Sequence, residues 1–131
     1  MRQNVSTGTP WEKATGYSRA VRVGNLVYLS GTTASDEAGN VIGIDDPYAQ
    51  AVYIFQKIER ALKEVGASLD DVVRTRMFVT NISHYPEFAR AHGEFFSTIL
   101  PVATMVQVVA LIDPSHLIEI EVDAVIGAGD V

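Results

Sequence analysis

Two glutamates near the end of the chain are the first residues whose placement suggests chemistry. Glu119 and Glu121 sit in Leu117-Ile118-Glu119-Ile120-Glu121, whose alternation puts both carboxylates on one face of a strand. A carboxyl held in a cleft has its pKa raised by desolvation and can then shuttle protons near neutral pH. On an open strand it is a solvated group or half of an ion pair between subunits. Glu119 is the catalytic candidate of the two. Arg74 and Arg76 lie in a second alternating run, Val73 to Val79. There a guanidinium can serve a ligand in a cleft or pair with Glu119, Glu121 or Asp123 of a neighbouring chain. Ser30-Gly31 closes another extended run, and glycine there lets a ligand approach the main chain. Thr104 offers a hydroxyl to a polar ligand from a position that also suits an ordinary β-branched strand residue. His92 falls on the apolar stripe of a helix, which favours a core or rim role over catalysis. His84 and His116 fall in turn regions, and the three histidines lack metal-ligand spacing. No metal site is expected, and no phosphate loop, nucleophile elbow or dinucleotide fingerprint occurs.

Composition narrows the classes further. At 131 residues the chain suits one domain, 1–131, able to bury a core without staples. Hydrophobic residues make up 47% and charged residues 20%, values of an ordinary globular protein. Absence of cysteine excludes disulfides, thiolate metal sites and cysteine nucleophiles. It also fits a reducing compartment. Met1 to Thr9 is polar and carries no apolar run, so no signal peptide is read and a cytoplasmic location is expected. No stretch approaches the roughly 20 apolar residues of a membrane span. The net charge of −6 works against polyanions, so a nucleic-acid partner is not expected.

The elements that must position these residues follow from periodicity. Arg19 to Val23 and Leu26 to Leu29 form a hairpin about Gly24-Asn25, a turn that tolerates positive φ. Residues 32–46 read as a loop with at most a short strand near Val41-Ile42. Asp45-Asp46-Pro47 starts a helix on which Ala51, Phe55, Ile58, Leu62 and Val65 share one face, with Lys57 and Arg60 on the other side. Gly66 ends it. A strand from Asp71 to Thr80 precedes a second helix, from about Ser83 to Ile99, with Tyr85, Phe88, His92, Phe95, Phe96 and Ile99 along one stripe. Strands over Thr104 to Ala110 and Leu117 to Ile126 follow. The order ββαβαββ predicts an α/β (α+β) fold, a mixed sheet with two helices on one face. If Val73, Thr75, Met77 and Val79 face the helices, Arg74, Arg76 and Phe78 face away, and the last strands are apolar on both sides. Such a bare face predicts self-association.

Taken in order, Gly16-Tyr17, Val23-Gly24-Asn25, Leu29-Ser30-Gly31, Val72-Val73-Arg74-Thr75, Phe78-Val79, Phe95-Phe96, Pro101, Val106-Gln107-Val108 and Ile118-Glu119-Ile120-Glu121 resemble the RidA (YjgF-type) family over roughly residues 14–126. The resemblance implies a chorismate-mutase-like homotrimer with small-molecule pockets between subunits. It implies cofactor-free hydrolysis of reactive enamines or imines, such as 2-aminoacrylate, to a keto acid and ammonia. It assigns Glu119 to orienting the water, Tyr17 to a phenolic hydrogen bond, and Ser30 with Gly31 to backbone contact with the ligand. In such proteins an arginine two residues beyond the proline clamps the substrate carboxylate, a geometry lysine does not copy. Here that position is Ala103, and a helix asparagine of the same pocket falls at Ala89. The chain therefore resembles an arginine-lacking branch. Thr104 and Arg76 are the residues left to contact a ligand there, with Arg76 as a substitute clamp. A non-enzymatic binding or sensor protein using the same cleft is the alternative, and endoribonuclease activity ranks below both.

Overall fold

The computed structural model describes residues 1–130. In chain order it contains β1 (Arg2–Val5), α1 (Pro10–Thr15), β2 (Ala20–Val23), β3 (Leu26–Thr32), α2 (Pro47–Glu64), β4 (Val72–Val79), α3 (Tyr85–Phe96), β5 (Val102–Gln107) and β6 (Ile118–Val125). Gly24, at φ 59°, makes the turn that sets Val23 opposite Leu26. The strands form one sheet in the order β1-β2-β3-β6-β4-β5. Only β4 and β5 run parallel, as two strands joined through a crossover helix must. β6 lies centrally, antiparallel to both β3 and β4. The mixed sheet with its two long helices on one face is as the sequence predicts.

α2 begins where Asp46 accepts a hydrogen bond from the Ala49 amide at 3.0 Å, with Pro47 in the first turn. Its buried stripe of Ala51, Ile54, Phe55, Ile58, Ala61 and Leu62 packs against the sheet and α3, and Gly66 at φ 82° ends the helix region. Phe55 meets Phe96 of α3 edge-on, ring centroids 5.5 Å apart. Burying each such ring stabilises the fold by about 1.5–3 kcal/mol. Ile118, Ile120, Val122 and Ala124 complete the core beneath the helices. Gln50 is buried among them because each end of its amide is engaged. It donates to Gly43 O (3.2 Å) and Ser115 O (2.8 Å) and accepts from the Leu117 amide (2.8 Å). Those bonds fix the loop that leads into β6.

Several expectations need correction. β1 and α1 were not anticipated, because their polar residues carry no apolar period. Strand β5 stops at Gln107 instead of Ala110: Gln107 is paired with Val79, the last residue of β4, so the chain beyond has little partner left. Val73 does not face the helices. A register shift between Val72 and Arg74 against β6 turns Val72 into the core and leaves Val73 38% exposed. Tyr85, at the first residue of α3, is exposed and not part of the buried stripe. Nor is the far face of the sheet apolar throughout. Leu26, Tyr28, Val102 and Val106 are exposed there, but β6 contributes Glu119, Glu121 and Asp123 between them. No helix among the described residues is long and apolar enough to cross a membrane.

Candidate active site

The site is built on a break in the pleat. Leu29 pairs with Val122 and Thr32 with Ile120, so β3 spends one residue more than β6 across this stretch. Such a bulge re-aims side chains and backbone, and here it sets Gly31 directly against Glu119. A Cβ on Gly31 would collide with the Glu119 carboxyl group, its Cδ lying only 2.9 Å away. Glycine is required for this approach, not for an unusual φ. Burial pushes the Glu119 pKa up, the neighbouring Glu121 carboxylate adds to the rise, and Arg19 opposes it. Among the described residues no hydrogen bond holds the Glu119 carboxylate in its charged form.

Arg19 ties this bulge to the N-terminal segment. Its guanidinium is buried and donates to Gly31 O and Thr32 Oγ1, both at 3.0 Å. Its Nε stands 3.9 Å from Glu12, and its charge lies 5.8 Å from the Tyr17 ring centre. Glu12 is itself buried, under a strap formed by residues 6–9. Burial alone would raise its pKa. The hydroxyls of Thr7, Thr9 and Ser6 and the Thr7 amide all donate to it, however, and they hold the carboxyl below its ordinary value.

Between the strap, the bulge and α2 lies a hollow of about 1140 Å³, with Tyr17, Arg19, Gly31, Lys57, His116 and Glu119 among its walls. A second hollow of about 290 Å³, reached past Phe78 and Leu111, shares Gly31 and Glu119 with it. Lys57 Nζ donates to Thr33 O and Ser35 O, each at 2.8 Å. Burial, followed by the charges of Arg19 and Arg60, brings its pKa down to about 8 against the weaker pull of Asp36 and Glu12. Ser35 Oγ lies 2.7 Å from His116 Nε2, while the buried His116 Nδ1 has no hydrogen-bond partner among the described residues. Burial also pushes the His116 pKa down, so the imidazole is neutral at pH 7; nearby Asp113 works against this and Lys57 with it.

Of the residues singled out in the sequence, the structure gathers Tyr17, Gly31 and Glu119 around one hollow. Ser30 is adjacent in the chain, but its hydroxyl is committed to Ser18 O at 2.6 Å. Thr104 and Arg76 are registered neighbours on β5 and β4, on the open face outside the hollow. Within its own chain Arg76 is 3.3 Å from Asp123 and 3.8 Å from Glu121. Arg74 lies 3.8 Å from Asp123. His92 Nε2 lies 2.9 Å from the Thr75 hydroxyl, and the ring packs between Phe55 and Phe96.

Arg19, Glu12, Ser35 with His116, and Lys57 escaped the sequence reading. Lys57, read there as part of the polar side of α2, is half-buried. A signal for it does exist: Tyr53, Lys57, Arg60 and Glu64 fall at i, i+4, i+7 and i+11, a second stripe flanking the apolar one, and all four line the hollow.

Residues 8–126 match the profile of the family described as Endoribonuclease L-PSP, which is the YjgF/RidA family. The chain belongs to this family. It is 34% identical over 113 residues to a 3-aminoacrylate deaminase, RutC, of Acinetobacter baylyi, covering 86% of this chain and 88% of that protein. An uncharacterized protein of Streptomyces coelicolor is 36% identical over 128 residues, 98% of this chain and 95% of the relative. Among solved structures, a Mycobacterium tuberculosis member of the YjgF/YER057c/UK114 family superposes with a TM-score of 0.88 at 48% identity, over 96% of this chain and all of that one. Family membership and fold thus agree with the resemblance read from the sequence.

Proposed function

We propose that this protein is a cytoplasmic, cofactor-free hydrolase that deaminates an enamine or imine in a cleft completed by a neighbouring subunit of a homotrimer. The observation that carries the reading is Glu119: a carboxyl whose pKa is raised by burial, pressed against Gly31 and opening into a hollow also lined by Tyr17. A carboxyl of that kind is protonated more readily than an exposed one and can both give and take a proton. Protonated Glu119 delivers its proton to the enamine carbon, leaving an iminium. The resulting carboxylate removes a proton from water as the oxygen adds to the iminium carbon. Glu119 then protonates the nitrogen of the carbinolamine and takes back the hydroxyl proton as the C–N bond breaks. Enamine and water are consumed, and a carbonyl compound and ammonia leave. Tyr17 orients the ligand through its phenol, and the main chain at Ser30 and Gly31 lies against it.

The deaminase name of the Acinetobacter relative supports this reaction class. Ala103 on β5 brings no charge, so a substrate carboxylate is not clamped there. Arg76 and Thr104 face the open side of the sheet, where a neighbouring subunit would bring them to the edge of the cleft. The expected result is ammonia release from freshly generated 3-aminoacrylate or 2-aminoacrylate, falling about 10²–10⁴-fold in Glu119→Ala. Wild-type rates equal to the buffer blank across a broad enamine and imine panel would end the reading.

The neutral side chain at Ala103 favours a second reading, a binding protein without turnover. A metabolite that raises the melting temperature and is recovered unchanged would point there. RNA cleavage, which the family description names, is less favoured, because a net charge of −6 opposes phosphate binding. It also suggests that the main partner is not a nucleic acid.

A further inference from the structure

The hollow beside Glu119 contains a cation without a counter-ion. Lys57 is half-buried and forms no ion pair within 4.0 Å among the described residues. Its two acceptors, Thr33 O and Ser35 O, are neutral carbonyls. An ammonium carries three protons, so one remains. The acidic groups that act on it are engaged elsewhere. Asp36 accepts from the amides of Ala38 and Asn40 in its own loop, and Glu12 is surrounded by the donors of the strap. Arg19 and Arg60 reinforce the positive potential instead of relieving it. On the same wall, Ser35 links Lys57 to His116. Its carbonyl takes the ammonium, and its hydroxyl bonds Nε2, leaving the buried Nδ1 of His116 without a partner. The remaining neighbour is the face of the Tyr53 ring, 5.9 Å from Nζ, so this partly desolvated charge has only neutral partners, and a bound anion would offset its desolvation cost.

We propose that Lys57 anchors the anionic end of the ligand, a carboxylate. This rests on the hollow being the substrate site, and it names the residue that would hold the negative end of a substrate whose nitrogen-bearing carbon reaches Glu119. The anchor comes from α2 and not from β5, where Ala103 stands. One ammonium beside a neutral imidazole suits a single negative charge. A dianion such as phosphate would also meet the carboxylates of Glu119, Glu37 and Glu64 that line the same hollow.

The test uses 2-oxobutyrate, a stable keto acid, and its methyl ester, with binding to the intact protein measured by calorimetry. At about pH 7 the acid binds, and the ester binds about tenfold or more weaker. Lys57→Met and Lys57→Gln lose the same factor for the acid and none for the ester. The Gln variant retains an amide donor for Thr33 and Ser35, and its melting curve verifies folding. With wild-type protein alone, affinity for the acid falls as pH rises from about 7 to about 9.5, because the Lys57 ammonium, beside the guanidinium groups of Arg19 and Arg60, is lost over that range, while Asp36 and Glu12, both lowered, stay ionised and the lowered His116 stays neutral. Equal binding of acid and ester, unchanged binding by a folded Lys57→Gln, a flat pH profile, inorganic phosphate binding as tightly as the acid, or no binding at roughly 20 mM acid would each overturn the assignment. Ammonia release, measured separately, distinguishes the two readings. Lys57-dependent binding without turnover removes the hydrolase and leaves the anchor, whereas turnover with Lys57-independent binding does the reverse.

Discussion

Two carboxylates on either side of Arg19 have been driven in opposite directions. Glu12, under the N-terminal strap, is buried and yet held in its charged form by hydroxyls and an amide that all point at it. Glu119, at the bulge, is partly buried beside another carboxylate, and burial pushes it toward the neutral form. Burial opposes charge in both places. The difference lies in the donors: the strap provides them from Ser6, Thr7 and Thr9, and the bulge provides Glu119 with none. A carboxylate with its bonds satisfied is a structural clasp, whereas one left without them retains the capacity to exchange protons.

The largest effect that would sharpen this contrast is expected at Gly31. In Gly31→Ala the new methyl meets the far end of a flexible side chain, so the carboxyl moves and the fold changes little. Ammonia release should drop about 10- to 100-fold, as misplacement of a reacting group does, with the melting temperature nearly kept. A matching loss of stability would place the strain in the backbone and undo the argument. At the other carboxylate the effect should be on folding. Glu12→Gln removes a charge that several donors were arranged to meet and should destabilise by about 1–3 kcal/mol in denaturant unfolding, with little change in turnover per folded molecule.

The same contrast appears in pH dependence. Glu12 has a lowered folded pKa, so its stabilisation is present above the ordinary carboxylate range and is lost as pH falls through the lowered value. Glu119 has a raised one, so wild type loses stability as pH climbs from the ordinary value through the raised one. Glu119→Gln should therefore melt above wild type at pH 7, with the gap closing in acid; a lower melting temperature at pH 7 would show that its charge is compensated after all. The smallest effect is expected at Arg76, whose pairs with Asp123 and Glu121 are solvent-screened. Arg76→Ala should cost under about 1 kcal/mol in the isolated subunit. Should it instead break the proposed trimer in sedimentation while the subunit stays folded, the open face is the assembly surface and Arg76 belongs to it.

Much of the fold was legible because its signals are local. Asp46-Pro47, the apolar stripe from Ala51 to Leu62, Gly24-Asn25 and the alternation of β6 each declare an element within a few residues. Val73 was misread because a bulge breaks the period of two that the reading assumed. The strap and α1 were invisible because hydroxyls, not apolar side chains, fasten them to Glu12.

For the site, the sequence by itself determined which groups are present: a carboxyl at 119 sharing a strand face with Glu121, a glycine at 31, a phenol at 17, and no cysteine. Only the tertiary structure decided that Gly31 touches Glu119, that Arg19 bonds the bulge carbonyl, and that Lys57 turns from the polar side of a helix into a hollow. These are encounters between residues many positions apart, arranged by a register shift and a long loop. Chain periodicity records which way a side chain leaves its own element, but not what the rest of the molecule brings to meet it.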